Sequence, residues 1–330
     1  MKKPFSKLSV FVMIYVTLIS AWFVSWLAVG DGNWWLIVIN RFVPYLFIPA
    51  LFFLAGAISF RNFNAIIPLL LPGLIFGSLY HPYLLPKFKQ SLEKNSELRV
   101  MTYNVLYTNL DYDAVANVVL TYQPDLVALQ EVLPEMMNAL EQRLAADYPY
   151  SKFGADQNYG TTAVFSRYPF TDAYVLDLQA ARPAVVVNTK IHDQEITFVA
   201  AHLLAYGLRW VKIRDIPATL VERTVEQNQQ AKILLGETNN EDGIVIIGCD
   251  CNSTETSSSY RLLDQRLENA ARQAGWLLNL NAPTNSDLDT NLQHIDYVWS
   301  RGSLGARGVF TINDSGGSDH LPVLAVFNLK

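Results

Sequence analysis

Residues 8–30 contain no charged side chain and follow Lys2, Lys3 and Lys7. At a helical rise of ~1.5 Å per residue, the run is long enough to cross a bilayer core of about 30 Å. A secretory leader is the competing reading, with Ala28 and Gly30 as small residues near a cleavage point. The run exceeds the usual leader core, however, and more membrane-like sequence follows it. Residues 34–60 read as a second span, with Trp34, Trp35 and Arg41 near one end where an interface belongs. Residues 65–85 read as a third, weaker one containing Pro68, Pro72, His81 and Pro82. Three spans are expected, and two spans with a re-entrant segment are the alternative.

Charge divides the chain at the same place. Residues 1–100 hold 9 Lys/Arg and 3 Asp/Glu, which leaves 16 basic and 27 acidic residues, a formal −11, in 101–330. A body this acidic repels a polyanion over long range, which disfavours nucleic acid as a partner. The expected organisation is a membrane anchor over 1–95 and a catalytic domain over 96–330. Lys2, Lys3 and Lys7 against Asp31 favour a cytoplasmic N-terminus, and three spans then put the acidic body outside. Lys87, Lys89, Lys94 and Arg99 pull the other way, but the first helix usually dominates.

After residue 98 the pattern changes to short apolar strands separated by turns and amphipathic helices. The most informative is Ile244-Val245-Ile246-Ile247, a buried strand whose end Gly248 lets turn tightly, followed by Asp250 and Asn252. Side chains two apart on extended chain point the same way, roughly 6–7 Å apart. A carboxylate to handle a water or metal and an amide to donate to a phosphoryl oxygen would thus project together. Taken alone, Asp-x-Asn is more simply an Asx turn. Other strands also end in polar residues, at Asn104, Glu131 and His202, while Asp296 and Asp319-His320 accompany two more. Strands interleaved with a few helices predict two sheets packed face to face with outer helices, an α+β sandwich. Cys249 and Cys251 flank Asp250 on the opposite side of the strand; two cysteines build neither a disulfide framework nor a zinc cluster, so packing is their expected role.

In order, Met101-Thr102-Tyr103-Asn104-Val105, Pro124-Asp125-Leu126-Val127-Ala128-Leu129-Gln130-Glu131-Val132, Ser166-Arg167-Tyr168-Pro169, Ala201-His202-Leu203, Gly248-Cys249-Asp250-Cys251-Asn252, His294-Ile295-Asp296-Tyr297-Val298 and Ser318-Asp319-His320-Leu321-Pro322 resemble the endonuclease/exonuclease/phosphatase family, the DNase I-like metal-dependent phosphoesterases. The resemblance covers residues 98–330. One departure is Cys249 between Gly248 and Asp250, where the family usually has Gly-Asp-x-Asn. The apolar front is not part of the shared domain, although membrane-anchored bacterial members exist. The resemblance implies a four-layered α/β sandwich in a protein of the bacterial inner membrane. It further implies that Glu131 holds Mg²⁺ or Mn²⁺, with Asn104 and Asp319 completing or supporting that metal site. Asp250 would orient or deprotonate the attacking water, and Asn252 would donate to the phosphoryl group. His320, its tautomer fixed by Asp296, would stabilise developing charge or exchange a proton, and His202 would contact the phosphate from the other side. The reaction implied is in-line hydrolysis.

Substrate choice is expected to rest on Arg209, Trp210 and Lys212 in the basic-aromatic stretch after His202. Arg182 is a further headgroup contact, and Arg167 is either a turn residue or a substrate contact. Aromatic rings and cations settle together at a membrane interface, which favours a lipid or lipid-linked phosphate. A nuclease is the alternative, and a non-catalytic membrane scaffold a third reading. Nothing in the sequence identifies a protein partner.

Overall fold

The computed structural model describes residues 6–84, 97–154, 160–179, 182–239, 243–275, 282–283 and 291–329. Lys2, Lys3, Lys87, Lys89 and Lys94, which bear on orientation, lie outside the described residues. The front of the chain forms α1 (Lys7–Val29), α2 (Trp34–Asn40), α3 (Val43–Leu46), α4 (Ile48–Ser59) and α5 (Phe63–Leu84). Helices α1 and α5 are each long and apolar enough to cross a membrane. Residues 34–60 are not one straight span: Trp34–Asn40 and Val43–Ser59 meet at 81°. The break is local chemistry, because Pro44 and Pro49 each open a helical segment, where a missing N–H is harmless.

Side-chain contacts fix the direction of each helix. At one end, Asn62 Nδ2 donates to Ser6 Oγ (2.7 Å) and Ser9 Oγ donates to Asn62 Oδ1 (3.3 Å), so α1 and α5 start together. At the other, Trp26 Nε1 donates to the Thr256 carbonyl (2.8 Å), and the Tyr83 and Tyr260 hydroxyls lie 3.1 Å apart. Between them α4 runs the opposite way, with Phe47 beside Trp22 and Phe53 beside Tyr15. The three long elements therefore alternate in direction, and α2 lies across the end that meets the body.

The body follows as β1 (Glu97–Asn104), α6 (Tyr112–Tyr122), β2 (Leu126–Val132), α7 (Pro134–Leu144), β3 (Tyr150–Phe153), β4 (Thr161–Ser166), β5 (Phe170–Leu176), β6 (Ala184–Ile191), β7 (Gln194–His202) and α8 (Ile216–Asn239). It continues with β8 (Ile244–Asp250), α9 (Ser258–Leu263), β9 (Glu268–Asn269), α10 (Ala270–Ala274), β10 (Ala282–Pro283), β11 (Asn291–Gln293), β12 (Asp296–Arg301), β13 (Leu304–Thr311) and β14 (Val323–Leu329). One six-stranded sheet has the order β13-β14-β1-β2-β4-β3, the other β5-β6-β7-β8-β12-β9, and β10-β11 pair separately.

Period-2 alternation sorts each strand between two interfaces. Val100, Leu126 and Val164 face Val187, Phe198 and Ile246 between the sheets. Met101, Val127 and Phe165 face outward onto Val115, Val118 and Leu140 of α6 and α7. Val199, Val245 and Ile247 face Ala231 and Leu234 of α8. Helices, sheet, sheet, helices make the four-layered sandwich expected from the strand pattern, a mixed α+β fold of the DNase I-like type.

Gly248 has a different role from the expected one. It lies inside β8 rather than at a turn, and a Cβ there would sit 2.6 Å from Ala128 Cβ of the facing sheet. Its missing side chain allows the sheets to approach just below the end of β8.

Candidate active site

Strand register assembles the centre of the site. On β8, Asp250 pairs with His202 of parallel β7 on one side and with Asp296 of antiparallel β12 on the other. All three side chains are buried. Asp250 Oδ2 accepts from Asn104 Nδ2 across the sandwich (2.9 Å), and Oδ1 accepts from the Asn252 backbone N–H (3.2 Å). His320 approaches from the segment before β14: its Nδ1 is 2.9 Å from Asp296 Oδ2 and its Nε2 is 4.0 Å from Asp250 Oδ2. Ser318 Oγ steadies this segment by accepting from the His320 N–H (3.0 Å) and donating to the Asn104 carbonyl (2.7 Å).

Glu131 reaches the same rim by a strained route. Pairing of β2 with β4 is irregular between Leu129 and Val132, and Glu131 sits there at φ 62°. A non-glycine residue in that region costs of order 1–3 kcal/mol and clusters at functional sites. Gly160 makes room for it, since a Cβ at Gly160 would lie 2.4 Å from the Glu131 carbonyl carbon. Glu131 Oε2 accepts from the Tyr107 N–H (3.1 Å), and Oε1 lies 3.2 Å from Arg182 Nη2. Arg182 also places Nη1 2.8 Å from His202 Nε2.

These contacts set the charges. Burial, then the charge of Asp296, pushes Asp250 up to about 6. Burial also raises Asp296 and Glu131, the latter against the opposing pull of Arg182. Burial disfavours the His320 cation, but the Asp296 and Asp250 carboxylates outweigh it and hold His320 up at about 10. His202 is driven well down by burial and by Arg182. Its Nε2 lies 3.2 Å from Asp250 Oδ2, but the shorter Arg182 contact makes that atom an acceptor. The ring is then neutral with its proton on Nδ1, a buried atom with no hydrogen-bond partner among the described residues.

The side chains fit a hard divalent cation. Ligand atoms of Asp250, Asp296 and His320 lie within 4.8 Å of one another, and a third, half-buried carboxylate, Glu131, already draws a guanidinium. Three carboxylates all raised by burial make an oxygen-rich set that a cation would relieve. His320 is tied to Asp296 as a cation, which leaves the carboxylates as the better ligands. Of the sequence-predicted metal residues, Asn104 spends its amide on Asp250 and on the Leu106 N–H, while half-buried Asp319 adjoins His320.

The rim thus brings together Asn104, Glu131, Arg182, His202, Asp250, Asn252, Asp296, Asp319 and His320. Asn252, at φ 47°, turns its side-chain Nδ2 to the Leu203 carbonyl (3.0 Å). Arg167 is not brought here. It stacks 5.2 Å over the Tyr148 ring and donates its backbone N–H to the Asp125 carbonyl, at the opposite end of β2 from Glu131. Arg209, Trp210 and Lys212 lie on exposed short turns after β7, with Arg209 over the Trp210 ring and Trp210 87% exposed. Cys249 and Cys251 do pack in the outer core against α8, but as a disulfide rather than as two thiols.

Sequence reasoning missed the residues that join this rim to the front helices. Arg41, at the helix break, donates from Nη1 to the Asn252 carbonyl (3.1 Å) and from Nη2 to Gln293 Oε1 (2.7 Å), with its guanidinium 4.9 Å over the Tyr206 ring. The segment after Asn252 is held as well. Thr254 and Thr256 hydroxyls donate to the Asn40 carbonyl (2.8 and 2.6 Å), and the Ser258 N–H donates to Asp31 Oδ2 (2.6 Å). A single arginine inside an otherwise uncharged stretch was the available signal.

Comparisons with known proteins bear on the family and the fold. A sequence model described as "Endonuclease/Exonuclease/phosphatase family" matches residues 101–320. Among solved structures, humanized D. rerio TDP2 superposes with a TM-score of 0.58 at 18% identity, over 71% of this chain and 100% of that one. An endonuclease/exonuclease/phosphatase from Bacteroides vulgatus gives 0.58 at 17% identity, over 71% and 99%. A mannosyl-6-phosphatase from Bacteroides thetaiotaomicron gives 0.56 at 15% identity, over 70% and 100%. At these identities the structural likeness speaks for the fold alone. No curated protein matches the chain at a significant level.

Proposed function

Because the chain belongs to the endonuclease/exonuclease/phosphatase family of phosphoester hydrolases, we propose that it is a membrane-anchored, divalent-metal-dependent phosphoesterase acting on a lipid or lipid-linked phosphate. The observation that carries the lipid reading is the docking of the catalytic segment on the apolar helices. The five residues after Asp250 include Asn252 and Thr254, whose partners are Arg41 and Asn40 of the front of the chain. A rim built onto such helices meets substrates held at a bilayer surface, and tethering raises their effective concentration.

Glu131, with Asn104 and Asp319 in support, would hold Mg²⁺ or Mn²⁺, which would neutralise charge on the phosphoryl oxygens. Asp250 orients the attacking water and takes its proton. The two histidines beside it keep opposite states for this purpose: His202 neutral beside Arg182, His320 charged beside Asp296. The His320 cation faces the charge that builds on the phosphoryl group, and Asp296 fixes its ring through Nδ1. Arg182 binds phosphate oxygens from the Glu131 side, its guanidinium positioned by His202 Nε2. Asn252 contributes an amide donor.

The same reading divides the chain into an anchor over 1–95 and a catalytic domain over 96–330. Three elements that alternate in direction amount to an odd number of crossings, with α2 at the surface. The N-terminus and the body then lie on opposite faces, and the basic N-terminus favours an extracytoplasmic body at the bacterial inner membrane. A reporter fused at Lys330 tests this: periplasmic phosphatase activity is expected, and cytoplasmic fluorescence alone would refute it.

The activity is tested by assaying the purified full chain with Mg²⁺ or Mn²⁺ against sphingomyelin, phosphoinositides, polyprenyl pyrophosphate and plasmid DNA. Metal-dependent turnover of a lipid is expected. Cleavage of DNA without lipid turnover would replace this reading with a nuclease, and no cleavage with any metal would leave a scaffold.

A further inference from the structure

Two apolar cavities lie between the α3–α4 arm and α5. The first, about 350 Å³, is bounded by Pro44, Phe47 and Ile48 on one wall and by Pro72 and Phe76 on the other. The second, about 450 Å³, continues past Leu54 on one wall and Leu69 and Leu70 on the other. Ala50, Leu51 and Gly73 line both, so the two form one groove. Each volume falls within the ~300–1,000 Å³ usual for small-molecule sites.

Three features set the groove apart from an ordinary helix contact. Its centre is left open by glycine, since a Cβ at Gly73 would meet nothing within 4 Å. Its outer lips, Leu51 and Leu74, are 67% and 71% exposed, so it opens sideways to whatever surrounds the helices. Its upper end, at Pro44, is three residues from Arg41, whose guanidinium contacts the Asn252 carbonyl at the catalytic rim. The 81° break between Trp34–Asn40 and Val43–Ser59 falls at this point, and Arg41 lies within it.

We propose that this groove holds the hydrocarbon tail of the substrate lipid, entered laterally, with Arg41 at the point where tail gives way to phosphate-bearing headgroup. The inference rests on the lipid-phosphoesterase reading and adds the element that selects the substrate: a single long apolar chain lying along α4 and α5. A groove that bulk lipid merely fills would not discriminate between tails, whereas one that guides a tail to the catalytic rim does.

The test uses the full chain in lipid nanodiscs with Mn²⁺ and two alkyl phosphates that share a headgroup, one short-chained and water-soluble, one long-chained. Gly73→Trp and, on the facing wall, Leu51→Trp should each lower kcat/KM for the long chain by about tenfold and leave the short chain within about twofold. Leu18→Trp, on an exposed face of α1 outside the groove, should change neither. Unchanged long-chain turnover in both groove variants would overturn the proposal while leaving the phosphoesterase reading intact. Loss of turnover by the unsubstituted chain on both phosphates would instead strike the reading beneath it. A readout that needs no variant is photocrosslinking of the wild-type protein with a long-chain alkyl phosphate carrying a diazirine near its terminus. Label should concentrate on 44–54 and 69–76, and label spread evenly over α1 would equally contradict the proposal.

Discussion

Asp296 and Asp250 are direct partners across the antiparallel β8–β12 pair, and His320 stands against both, 2.9 Å from the first and 4.0 Å from the second. Two buried carboxylates at one register position repel, and a histidine cation between them relieves it.

On the proposed function Asp296 acts through His320, so its removal should show in the pH profile as well as in rate. Asp296→Asn is expected to lower kcat by about 10²-fold. It should also move the alkaline limb downward in pH, because His320 loses the nearest charge that holds it up at about 10. An unchanged alkaline limb in kcat profiles of the variant would count against this role.

Cation binding should compete with protons. Asp250 is pushed up to about 6, so in the metal-free chain it withdraws stability as pH rises through that range, where the folded state must give up a proton the unfolded state has already lost. His320, raised to about 10, contributes stability that is complete below an ordinary histidine value and is lost progressively as pH rises from there through about 10. The rise in Tm on adding Mn²⁺ should therefore be larger at about pH 7.5 than at about pH 5. Equal increments at both would show that no buried carboxylate is displaced from its proton.

Gly160 should be intolerant of even one methyl group. Its φ is +75°, and a Cβ would press into the Glu131 backbone. Gly160→Ala is expected to shift Glu131 and abolish most of the Mn²⁺-induced rise in Tm, with a loss of about 1–3 kcal/mol in stability. A normal Mn²⁺ response in this variant would remove Glu131 from the metal site.

The seam between helices and body should be measurable as stability. Asn40 accepts from Trp22 Nε1, donates to Asp31 Oδ1 and offers its carbonyl to Thr254 and Thr256. Asn40→Ala keeps the carbonyl but leaves two buried partners unsatisfied, at about 1–3 kcal/mol each. Thermal unfolding in detergent should register a lowered Tm; no shift would mean that the seam is not formed in solution.

Much of this was legible in the sequence for a physical reason: a buried strand must be apolar to its last residue, so the polar residue that follows it stands out. Asn104, Glu131, His202 and Asp250 were each found that way, and the structure brings all four to one rim. Strands β5 and β13 were not singled out because they sit at sheet edges, where exposure weakens the alternation; β5 carries Thr171 and Asp172, and β13 carries Gly305 and Gly308. Gly248 looked like a turn residue because the closeness of a facing sheet leaves no local trace. Arg41 was seen only as an interface charge, since its partners Asn252 and Gln293 lie more than two hundred residues away.

The central claim is that Asp250 drives metal-dependent hydrolysis of a phosphate carried at the membrane. The most direct measurement compares wild type and Asp250→Asn in the same proteoliposomes, following phosphate-ester cleavage of an embedded lipid with Mn²⁺ and then with a chelator. Wild type should turn over, stop on chelation, and exceed Asp250→Asn by at least about 10²-fold at equal thermal stability. Undiminished lipid cleavage by Asp250→Asn, or cleavage that survives the chelator, would contradict the account.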